Sequence, residues 1–344
     1  MSNRVVVTGG AGFIGSALVR KIISDTDWNV LNIDKLTYAG HIENIGDVLK
    51  DSRHQFLQLD ITNRELIEPY FNEFNPTHVI HLAAESHVDR SIVNSLSFIN
   101  TNIIGTYNLL NICHEYLRKS KSKLSDFKFI HVSTDEVYGS LGAVGKFDEN
   151  SPYNPNSPYS ASKASSDHLV RAWNKTFDLP TIITNCSNNY GPYQYTEKLI
   201  PLMINNAIAR NKLPVYGKGE NVRDWLHVED HVNALIKILE SGLPGSSYCI
   251  GGGNEIKNID LVYNICDFLD QYMKNDKDYS YRNLIEYVDN RPGHDFRYAL
   301  NTEKINKDIL WSPKIEFSEG LESTIKWYLD NQNWCKSVSK KDTG

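Results

Sequence analysis

The stretch Thr8-Gly9-Gly10-Ala11-Gly12-Phe13-Ile14-Gly15, at residues 8–15, decides the fold of this chain of 344 residues. It follows a short apolar run, Arg4–Thr8, and opens a helical pattern over Gly12–Ile23. Glycine at positions 9, 12 and 15 permits a tight turn, lets backbone N–H groups approach a pyrophosphate, and brings the helix close to the strand. The helix N-terminus adds a partial positive charge that favours phosphate. The stretch therefore predicts a dinucleotide-binding turn, with cofactor contacts from Gly9, Gly12, Phe13, Ile14 and Gly15.

An acidic residue stands at the end of the next predicted strand. Asp34 closes the run Asn29–Asp34, about 20 residues beyond the glycines, as the dinucleotide-binding pattern requires. Its carboxylate can accept a hydrogen bond from the adenosine ribose 2′-OH and would repel a 2′-phosphate. The pattern therefore favours NAD over NADP, a preference that the neighbouring Lys35 weakens slightly.

Short apolar runs alternate with helical patterns through the first half of the chain, which is typical of a parallel sheet covered on both faces. The predicted strands are Arg4–Thr8, Asn29–Asp34, Gln55–Asp60, Thr77–Leu82, Lys128–Ser133 and Thr181–Cys186. The predicted helices between them are Gly12–Ile23, Arg64–Phe74, Phe98–Leu117 and Ser160–Phe177. The fold class is therefore predicted as α/β, a Rossmann-type doubly wound parallel sheet formed by residues 1–188.

The second half has a looser pattern rich in Tyr, Pro, Gly and Asn. Residues 189–344 are predicted to form mainly a smaller mixed α/β C-terminal lobe that binds substrate over the carboxyl ends of the strands. Residues 226–250 are expected to return to the sheet. Helices are predicted near Lys198–Ala209, Asp230–Leu239, Asp260–Tyr272 and Glu319–Leu329. The polar stretches 119–125 and 274–278 are predicted to be solvated loops.

Composition excludes several classes of function. A formal net charge of -6, without clustered Lys and Arg, provides no general attraction for nucleic acid or an anionic membrane. No apolar stretch approaches the length of a membrane span. The five cysteines are scattered without a C-x-x-C pair, so they predict neither a disulfide framework nor a metal site. A cytoplasmic location in a reducing compartment is expected.

Two further strand ends are candidate cofactor contacts. Asp60 and Ile61 end the third predicted strand, where an adenine would lie, although Asp60 is equally compatible with capping the helix that follows. The small residues in Leu82-Ala83-Ala84 would let the nicotinamide half of the cofactor pass close to the backbone. The adenine contact at the third strand and the nicotinamide contact at the fourth strand would together place the cofactor along one edge of the sheet.

Tyr159 and Lys163 form a candidate catalytic pair at the start of a predicted helix. Residues i and i+4 share one helix face, so the phenol and the ammonium can point into one site. A neighbouring cation favours phenolate, and Lys163 is therefore expected to lower the pKa of Tyr159 towards the range of a general base. An isolated Y-x-x-x-K pair is common by chance, but here it follows a dinucleotide fingerprint.

Asp135 and Glu136 place two adjacent carboxyl groups at the end of the fifth predicted strand. Elimination of water beside a ketone needs one group to remove the proton α to the ketone and another to protonate the departing hydroxyl. Two close carboxyls also oppose each other's ionisation, so one of them can stay protonated as an acid. The pair predicts a dehydratase.

With these motifs the chain resembles the extended short-chain dehydrogenase/reductases, and within them the nucleotide-sugar 4,6-dehydratases, over essentially its whole length. Sugar 4-epimerases of that superfamily carry small or hydroxyl residues where this chain has Asp135 and Glu136. The supporting runs are Ile33–Gly40, Ala84–Ser91, Asn185–Pro192, Glu197–Pro201, Val222–Trp225 and Arg291–Asp295.

The resemblance implies tightly bound NAD and dTDP-glucose as the nucleotide sugar. It implies that Tyr159 takes the C4 hydroxyl proton, Glu136 takes the C5 proton and Asp135 protonates the C6 hydroxyl, with Lys163 at the nicotinamide ribose and Thr134 at the sugar. The implied cofactor contacts further include Lys35, Leu36, Thr37, Ser86, Thr101 and Asn189. The implied substrate contacts are Ser86, Thr134, Asn188, Glu197, Lys198, Leu199, Pro214, Val215, Tyr216, Arg223, Asn258, Asn290, Arg291, Pro292, Gly293 and His294. Arg223 and Arg291 suit a diphosphate, because a guanidinium can bind phosphate oxygens bidentately.

Two departures from the family pattern stand out. The loop 142–156 is short, and Gln194-Tyr195-Thr196 replaces an expected apolar residue and proline.

Two alternative functions remain open. The first is a UDP-sugar 4-epimerase or decarboxylase, against which Asp135 and Glu136 argue. The second is a catalytically silent NAD-sensing protein, against which the intact Thr134, Tyr159 and Lys163 argue. A homodimer formed through the helices Ser95–Leu117 and Ser160–Phe177 is expected from the family.

Overall fold

A computed structural model describes residues 2–119, 127–273 and 279–339. Except for Lys119, which ends a helix, the stretches 119–125 and 274–278 predicted to be polar loops lie outside the described residues. The strands are β1 (Arg4–Thr8), β2 (Asn29–Asp34), β3 (His54–Gln58), β4 (His78–His81), β5 (Lys128–Thr134), β6 (Thr181–Cys186), β7 (Asn188–Tyr190), β8 (Leu213–Tyr216), β9 (Val222–His227), β10 (Ser247–Ile250), β11 (Glu255–Lys257) and β12 (Ile285–Val288). The helices are α1 (Phe13–Asp25), α2 (Arg64–Phe74), α3 (Val88–Val93), α4 (Ser95–Phe98), α5 (Thr106–Lys119), α6 (Pro158–Phe177), α7 (Leu199–Ile208), α8 (Val228–Ser241), α9 (Asn258–Tyr272), α10 (Glu303–Ile309), α11 (Phe317–Asp330) and α12 (Gln332–Ser339).

The main sheet has seven parallel strands in the order β10-β6-β5-β4-β1-β2-β3. Chain order reverses between β1 and β4, so a crevice forms there at the carboxyl ends of the strands. This sheet confirms the predicted Rossmann-type doubly wound fold. The predicted bounds of β1, β2 and β6 agree with the structure.

Both faces of the main sheet are buried, which explains why its strands read as nearly continuous apolar runs. Val5 and Val7 point to one face, where they pack with Leu18 of α1 and Leu235 of α8. Val6 points to the other face, which is covered by α2, α5 and α6. Because successive side chains of a strand point to opposite faces, one apolar run contributes residues to two cores.

The C-terminal lobe has a separate core formed mainly by α7, α9 and α11. Its small sheets are β11-β9-β7 and β12-β8. The chain also returns to the main sheet after the lobe begins, because β10 pairs with β6 along Ser247–Ile250. The division of the chain at residue 188 stays a prediction.

Several element boundaries differ by one to three residues from the sequence prediction. The predicted helix Phe98–Leu117 begins earlier, at Ser95, and passes through a π-helical segment, Ile99–Gly105, before α5. The third strand ends at Gln58 because Asp60 lies in a turn, where its Oδ1 accepts a hydrogen bond from the N–H of Thr62 (2.9 Å). No helix within the described residues is long and apolar enough to cross a membrane.

Candidate active site

A cleft opens where the carboxyl ends of β1, β4 and β5 face the start of the C-terminal lobe. Nearly all residues predicted to contact the cofactor line it: Gly9, Gly12, Phe13, Ile14, Gly15, Asp34, Lys35, Thr37, Asp60, Ile61, Leu82, Ala83, Ala84, Ser86, Thr101, Tyr159, Lys163 and Asn189. Leu36 is not among the described lining residues, but its N–H donates a hydrogen bond to Asp34 Oδ1 (2.8 Å). The cofactor contacts predicted along the sequence are thus gathered in one place.

The glycine turn brings three pieces of backbone into close contact. Gly9 has a φ of +75°, and a Cβ there would lie 2.6 Å from the backbone nitrogen of Ala83. A Cβ on Gly15 would overlap the carbonyl oxygen of Gly9. Any side chain at these positions would therefore push α1 away from β1 and β4. Because Gly12 caps α1 without a side chain, the N–H groups at this helix end remain available to a ligand.

Asp34 is held rigidly in the wall of the cleft. Its Oδ2 accepts a hydrogen bond from the N–H of Ala11 (2.9 Å) and its Oδ1 from the N–H of Leu36 (2.8 Å). Burial raises the pKa of Asp34, and these backbone donors partly oppose the rise. Lys35 turns away to Asp60, whose Oδ2 lies 2.7 Å from the ammonium. Lys35 thus belongs to an ion pair at the adjacent strand end.

The start of α6 is fixed by a reciprocal cap. Ser157 Oγ accepts a hydrogen bond from the N–H of Ser160, and Ser160 Oγ accepts one from the N–H of Ser157, both at 3.0 Å. Such a capping box sets the direction of the first helical turn. Tyr159 and Lys163, one turn apart, therefore both reach the cleft. The Lys163 ammonium donates to the carbonyl oxygen of Val132 at 2.9 Å.

Thr134, Asp135 and Glu136 form the turn that leaves β5. Thr134 Oγ1 accepts a hydrogen bond from the N–H of Glu136 (3.2 Å) and donates one to Asp135 Oδ1 (3.3 Å). The hydroxyl of Thr134 is also near enough to the phenol of Tyr159 to lower its pKa. Thr134 therefore holds the backbone of Glu136 and the carboxyl group of Asp135 together, and all three residues line the cleft with Tyr159.

The two carboxyl groups have different electrostatic surroundings. Burial raises the pKa of Asp135 well above its usual value, and the negative charges of Glu136 and Asp224 raise it further. Burial also raises the pKa of Glu136, but Arg291, Arg223 and Lys198 oppose that rise. Asp135 is therefore the better candidate for a protonated acid, and Glu136 for an ionised base.

In the protein by itself, the pKa of Tyr159 is not lowered towards the range of a general base, contrary to the expectation from the sequence. Burial raises the pKa of Tyr159 well above 10, and the negative charge of Glu136 raises it further, against a smaller lowering by the hydrogen bond from Thr134. The sequence pattern indicated the ammonium but not the carboxylates that surround the phenol.

The predicted substrate residues fall into two groups. Ser86, Thr134, Asn188 and Lys198 line the cleft. The others lie beyond the described lining of the cleft and belong to the lobe or its edge: Glu197, Leu199, Pro214, Val215, Tyr216, Arg223, Asn258, Asn290, Arg291, Pro292, Gly293 and His294. Lys198 joins the two groups, because its ammonium donates to the carbonyl oxygen of Ser86 at 3.1 Å.

Several members of the second group contact one another. The rings of Tyr216 and His294 are 5.9 Å apart, and His294 Nδ1 lies 2.6 Å from Asn290 Oδ1. Arg291 pairs with Asp89 at 3.4 Å. The amide oxygen of Asn258 is buried without a hydrogen-bond partner among the described residues. Tyr216 and Arg291 also share a partner, because the phenol of Tyr216 donates a hydrogen bond to Asp89 Oδ2 (3.3 Å).

Arg223 differs from the open phosphate clamp that its sequence suggested. Its side chain is buried, its Nη1 donates to the carbonyl oxygen of Val222 (2.8 Å), and its Nη2 donates to that of Asp295 (3.0 Å). The guanidinium also lies over the ring of Tyr298. Part of its donor capacity is therefore already used within the protein.

The cleft also contains residues that the sequence reasoning missed: Ala39, Gly40, Leu59, Glu85, Val132, Ser133, Cys186, Ser187, Gln194 and Tyr195. Some of these residues lie within the runs that carry the family resemblance, so those runs could have identified them as candidate lining residues. Gln194 and Tyr195 had been noticed only as departures. Tyr195 stacks on His41 with ring centroids 5.6 Å apart, a contact between distant segments that no local pattern indicates.

Comparison with known proteins gives a consistent result. The family model of GDP-mannose 4,6 dehydratase matches residues 6–324. The chain is 52% identical to the dTDP-glucose 4,6-dehydratase of Shigella flexneri, over 97% of this chain and 95% of that protein. It is likewise 52% identical to the dTDP-glucose 4,6-dehydratase of Neisseria meningitidis serogroup B, over 97% of this chain and 96% of that protein.

Solved structures agree with the sequence comparison. DesIV, a dTDP-glucose 4,6-dehydratase from Streptomyces venezuelae solved with NAD and TYD bound, superimposes with a TM-score of 0.89 at 40% identity, covering 97% of this chain and 99% of that one. A UDP-glucose 4-epimerase from Thermotoga maritima has a similar fold, with a TM-score of 0.83 at 27% identity over 96% of this chain and 99% of that one.

Proposed function

Since the chain belongs to the dTDP-glucose 4,6-dehydratase family, we propose that it dehydrates dTDP-glucose to dTDP-4-keto-6-deoxyglucose as an NAD-dependent hydro-lyase. The observation that carries this function is the position of Asp135 and Glu136 beside Thr134 and Tyr159, in the cleft that the glycine turn opens. An enzyme that only inverts C4 needs a single base and has no use for two additional carboxyl groups.

The residues of the cleft suit NAD. The uncapped N-terminus of α1 and the close approach at Gly9 and Gly15 favour a pyrophosphate, and Asp34 favours an unphosphorylated ribose. Bound NAD supplies a hydride acceptor during oxidation at C4 and a hydride donor during reduction at C6, and it is therefore retained between turnovers. Lys163 binds the nicotinamide ribose.

Oxidation at C4 is the task of Tyr159 and Thr134. Thr134 orients the sugar hydroxyl, and Tyr159 takes its proton. Because burial and Glu136 raise the pKa of Tyr159 in the protein alone, Tyr159 needs the positive charges of the bound cofactor and of Lys163 to act as a base near neutral pH.

Elimination is the task of the two carboxyl groups. Glu136 removes the C5 proton, which the C4 ketone acidifies, and Asp135 donates its proton to the C6 hydroxyl as that group leaves. Glu136 then returns a proton to C5 while C6 is reduced. The protonated state of Asp135 follows from its burial beside Glu136 and Asp224.

The nucleotide and diphosphate extend along the lobe. Arg291 and Lys198 neutralise the diphosphate, and Asn188 and Ser86 hold the sugar. Arg223 contributes the donors that its backbone contacts leave open and adds positive charge near Glu136. Tyr216, Asn258 and His294 line the path of the nucleoside.

We also propose that the enzyme is a homodimer. Leu96 in α4 is 62% exposed, and Ile99, Ile104 and Tyr107 are also exposed along the same helical segment. Phe177, at the end of α6, extends this apolar surface. Large exposed apolar side chains grouped on two neighbouring helices favour burial against a second copy of the same surface.

A cytoplasmic location is proposed as well, because all five cysteines are buried and free.

The test is incubation of the purified protein with dTDP-glucose in deuterated water. The expected product is a 4-keto sugar that has lost water and carries solvent deuterium at C5, because Glu136 exchanges the proton it removes. Glu136→Gln should abolish that label. Absence of turnover, or inversion at C4 with the C6 oxygen retained, would contradict the proposal. Competition by dTDP and UDP determines which base the lobe prefers.

A further inference from the structure

Asp167 lies in a fully buried polar cluster behind the cleft. Its side chain is inaccessible to solvent, as is that of His131. Asp167 Oδ2 accepts hydrogen bonds from the hydroxyls of Tyr153 (2.7 Å) and Ser133 (2.9 Å), and His131 Nε2 lies 3.2 Å from its Oδ1. A carboxylate with this many donors remains ionised, and its pKa is lowered even though burial opposes the change.

The cluster contacts the same strand end that holds Lys163. Asp167 follows Lys163 by one helical turn on the buried face of α6. The Lys163 ammonium donates to the carbonyl oxygen of Val132, which lies between His131 and Ser133, the two β5 residues that contact Asp167. Lys163 and Asp167 therefore contact three consecutive residues of β5.

The other groups around Lys163 do not supply a negative charge. His131 and His81, on β5 and β4, have a pKa lowered by burial and by the lysine itself, so both are neutral. Burial raises the pKa of the Cys186 thiol to about 12, so it is uncharged near neutral pH, and Tyr159, on the same helix, keeps its phenolic proton in the protein alone. Burial lowers the pKa of Lys163, and Asp167 is the largest influence that opposes this effect.

We propose that Asp167 is a positioning residue whose buried negative charge keeps Lys163 in its ammonium form at the cofactor cleft. Lys163 is only 4% exposed, and a buried ammonium without a nearby anion would lose its proton. Asp167 acts through Lys163, because its side chain is fully buried and does not line the cleft. The functional consequence depends on the role proposed above for Lys163, whereas the charge relationship does not.

The first test measures the titration of Lys163 directly. In protein labelled with ¹³C at lysine Cε, the Lys163 signal is identified by its loss in Lys163→Met. Asp167→Asn should move the midpoint of this titration down by about one pH unit, because removing an opposite charge from a buried site shifts a pKa by roughly that amount. Tyr153→Phe is the matched control, since it removes a hydrogen bond to Asp167 but leaves the charge. An unchanged midpoint in Asp167→Asn would overturn the proposal.

A double-mutant cycle covers the case in which Asp167→Asn does not fold. Lys163→Met leaves Asp167 buried without its cation and should lower the unfolding temperature. Adding Asp167→Asn to that variant should recover part of the loss, because both charges are then absent. Losses that simply add would show that Asp167 has a structural role unrelated to Lys163. Neither experiment requires turnover, so failure of the proposed function would not affect the outcome.

Activity then provides a third measurement. If the enzyme dehydrates its substrate, Asp167→Asn should shift the fall of activity at high pH to a lower pH, because Lys163 loses its proton earlier. A merely structural defect would reduce activity at every pH and leave unchanged the pH at which activity falls.

Discussion

Asp135 and Glu136 are adjacent in the chain, yet charges of opposite sign dominate their surroundings. Asp135 lies near the carboxylates of Glu136 and Asp224, which together with burial raise its pKa well above the usual range. Glu136 lies near the cationic side chains of Arg291, Arg223 and Lys198, which oppose the rise that burial causes in its pKa. The same turn thus offers a proton donor and a proton acceptor, and the charged groups around each residue determine which is which.

This asymmetry predicts the effect of Asp135→Asn. Elimination should slow by roughly 10²- to 10⁴-fold, the range for loss of a general acid, while oxidation at C4 should change much less. Reduced cofactor should therefore accumulate, which absorbance of NADH in a single turnover would show. Asp47→Asn, which alters a fully exposed carboxylate, is the control. Equal slowing of both steps would contradict the assignment of Asp135 as the acid.

Asp224 should make stability depend on pH. Burial raises its pKa from 3.8 to about 6, so the folded protein keeps a proton that the unfolded chain releases in that interval. Stability should therefore fall as pH rises from about 4 to 6, by at most about 3 kcal/mol. Asp224→Asn should flatten this part of the curve, and Asp47→Asn should not. Unfolding temperatures measured across this pH range test the prediction. If the curves of wild type and Asp224→Asn superimpose, Asp224 does not make stability depend on pH.

Asp34 should determine the choice of cofactor. Asp34→Asn keeps the hydrogen bond from Ala11 but removes the negative charge. Affinity for NAD should fall by about one to two orders of magnitude, as expected when a hydrogen bond to a charged group is lost, and discrimination against NADP should weaken. Calorimetric titration with both cofactors, after removal of bound NAD, measures the ratio. A variant that binds NAD as tightly as wild type and still excludes NADP would show that another group selects the cofactor.

The apolar face of α4 and the π-helical segment should carry the dimer contact. Leu96→Lys should shift the protein to a monomer, because a charge placed in a buried apolar interface is costly. Leu310→Lys is the matched control, since Leu310 is 79% exposed at the far end of α10. Light scattering coupled to size-exclusion chromatography distinguishes the two states. A Leu96→Lys protein that remains dimeric would place the interface elsewhere.

Much of the fold could be predicted from local patterns. The period of the apolar residues located β1, β2 and β6 at their observed bounds, and the glycine turn required a strand before it and a helix after it. Turn chemistry limits such predictions, since Asp60 begins a turn instead of ending a strand. The sequence predicted that residues 226–250 return to the sheet, but no local period can reveal that β10 pairs with β6, more than 60 residues earlier.

Local sequence patterns identified the chemical groups that stand at the strand ends: the glycine turn, Asp34, the pair Asp135–Glu136, and Tyr159 with Lys163. Tertiary structure decided their protonation, because the groups that set it come from distant parts of the chain. Asp224 and Arg291 approach the turn after β5 only once the lobe has packed over the sheet, and burial then amplifies their effect. For that reason the sequence indicated a dehydratase with two carboxyl groups, whereas only the folded protein shows which of them is surrounded by negative charge.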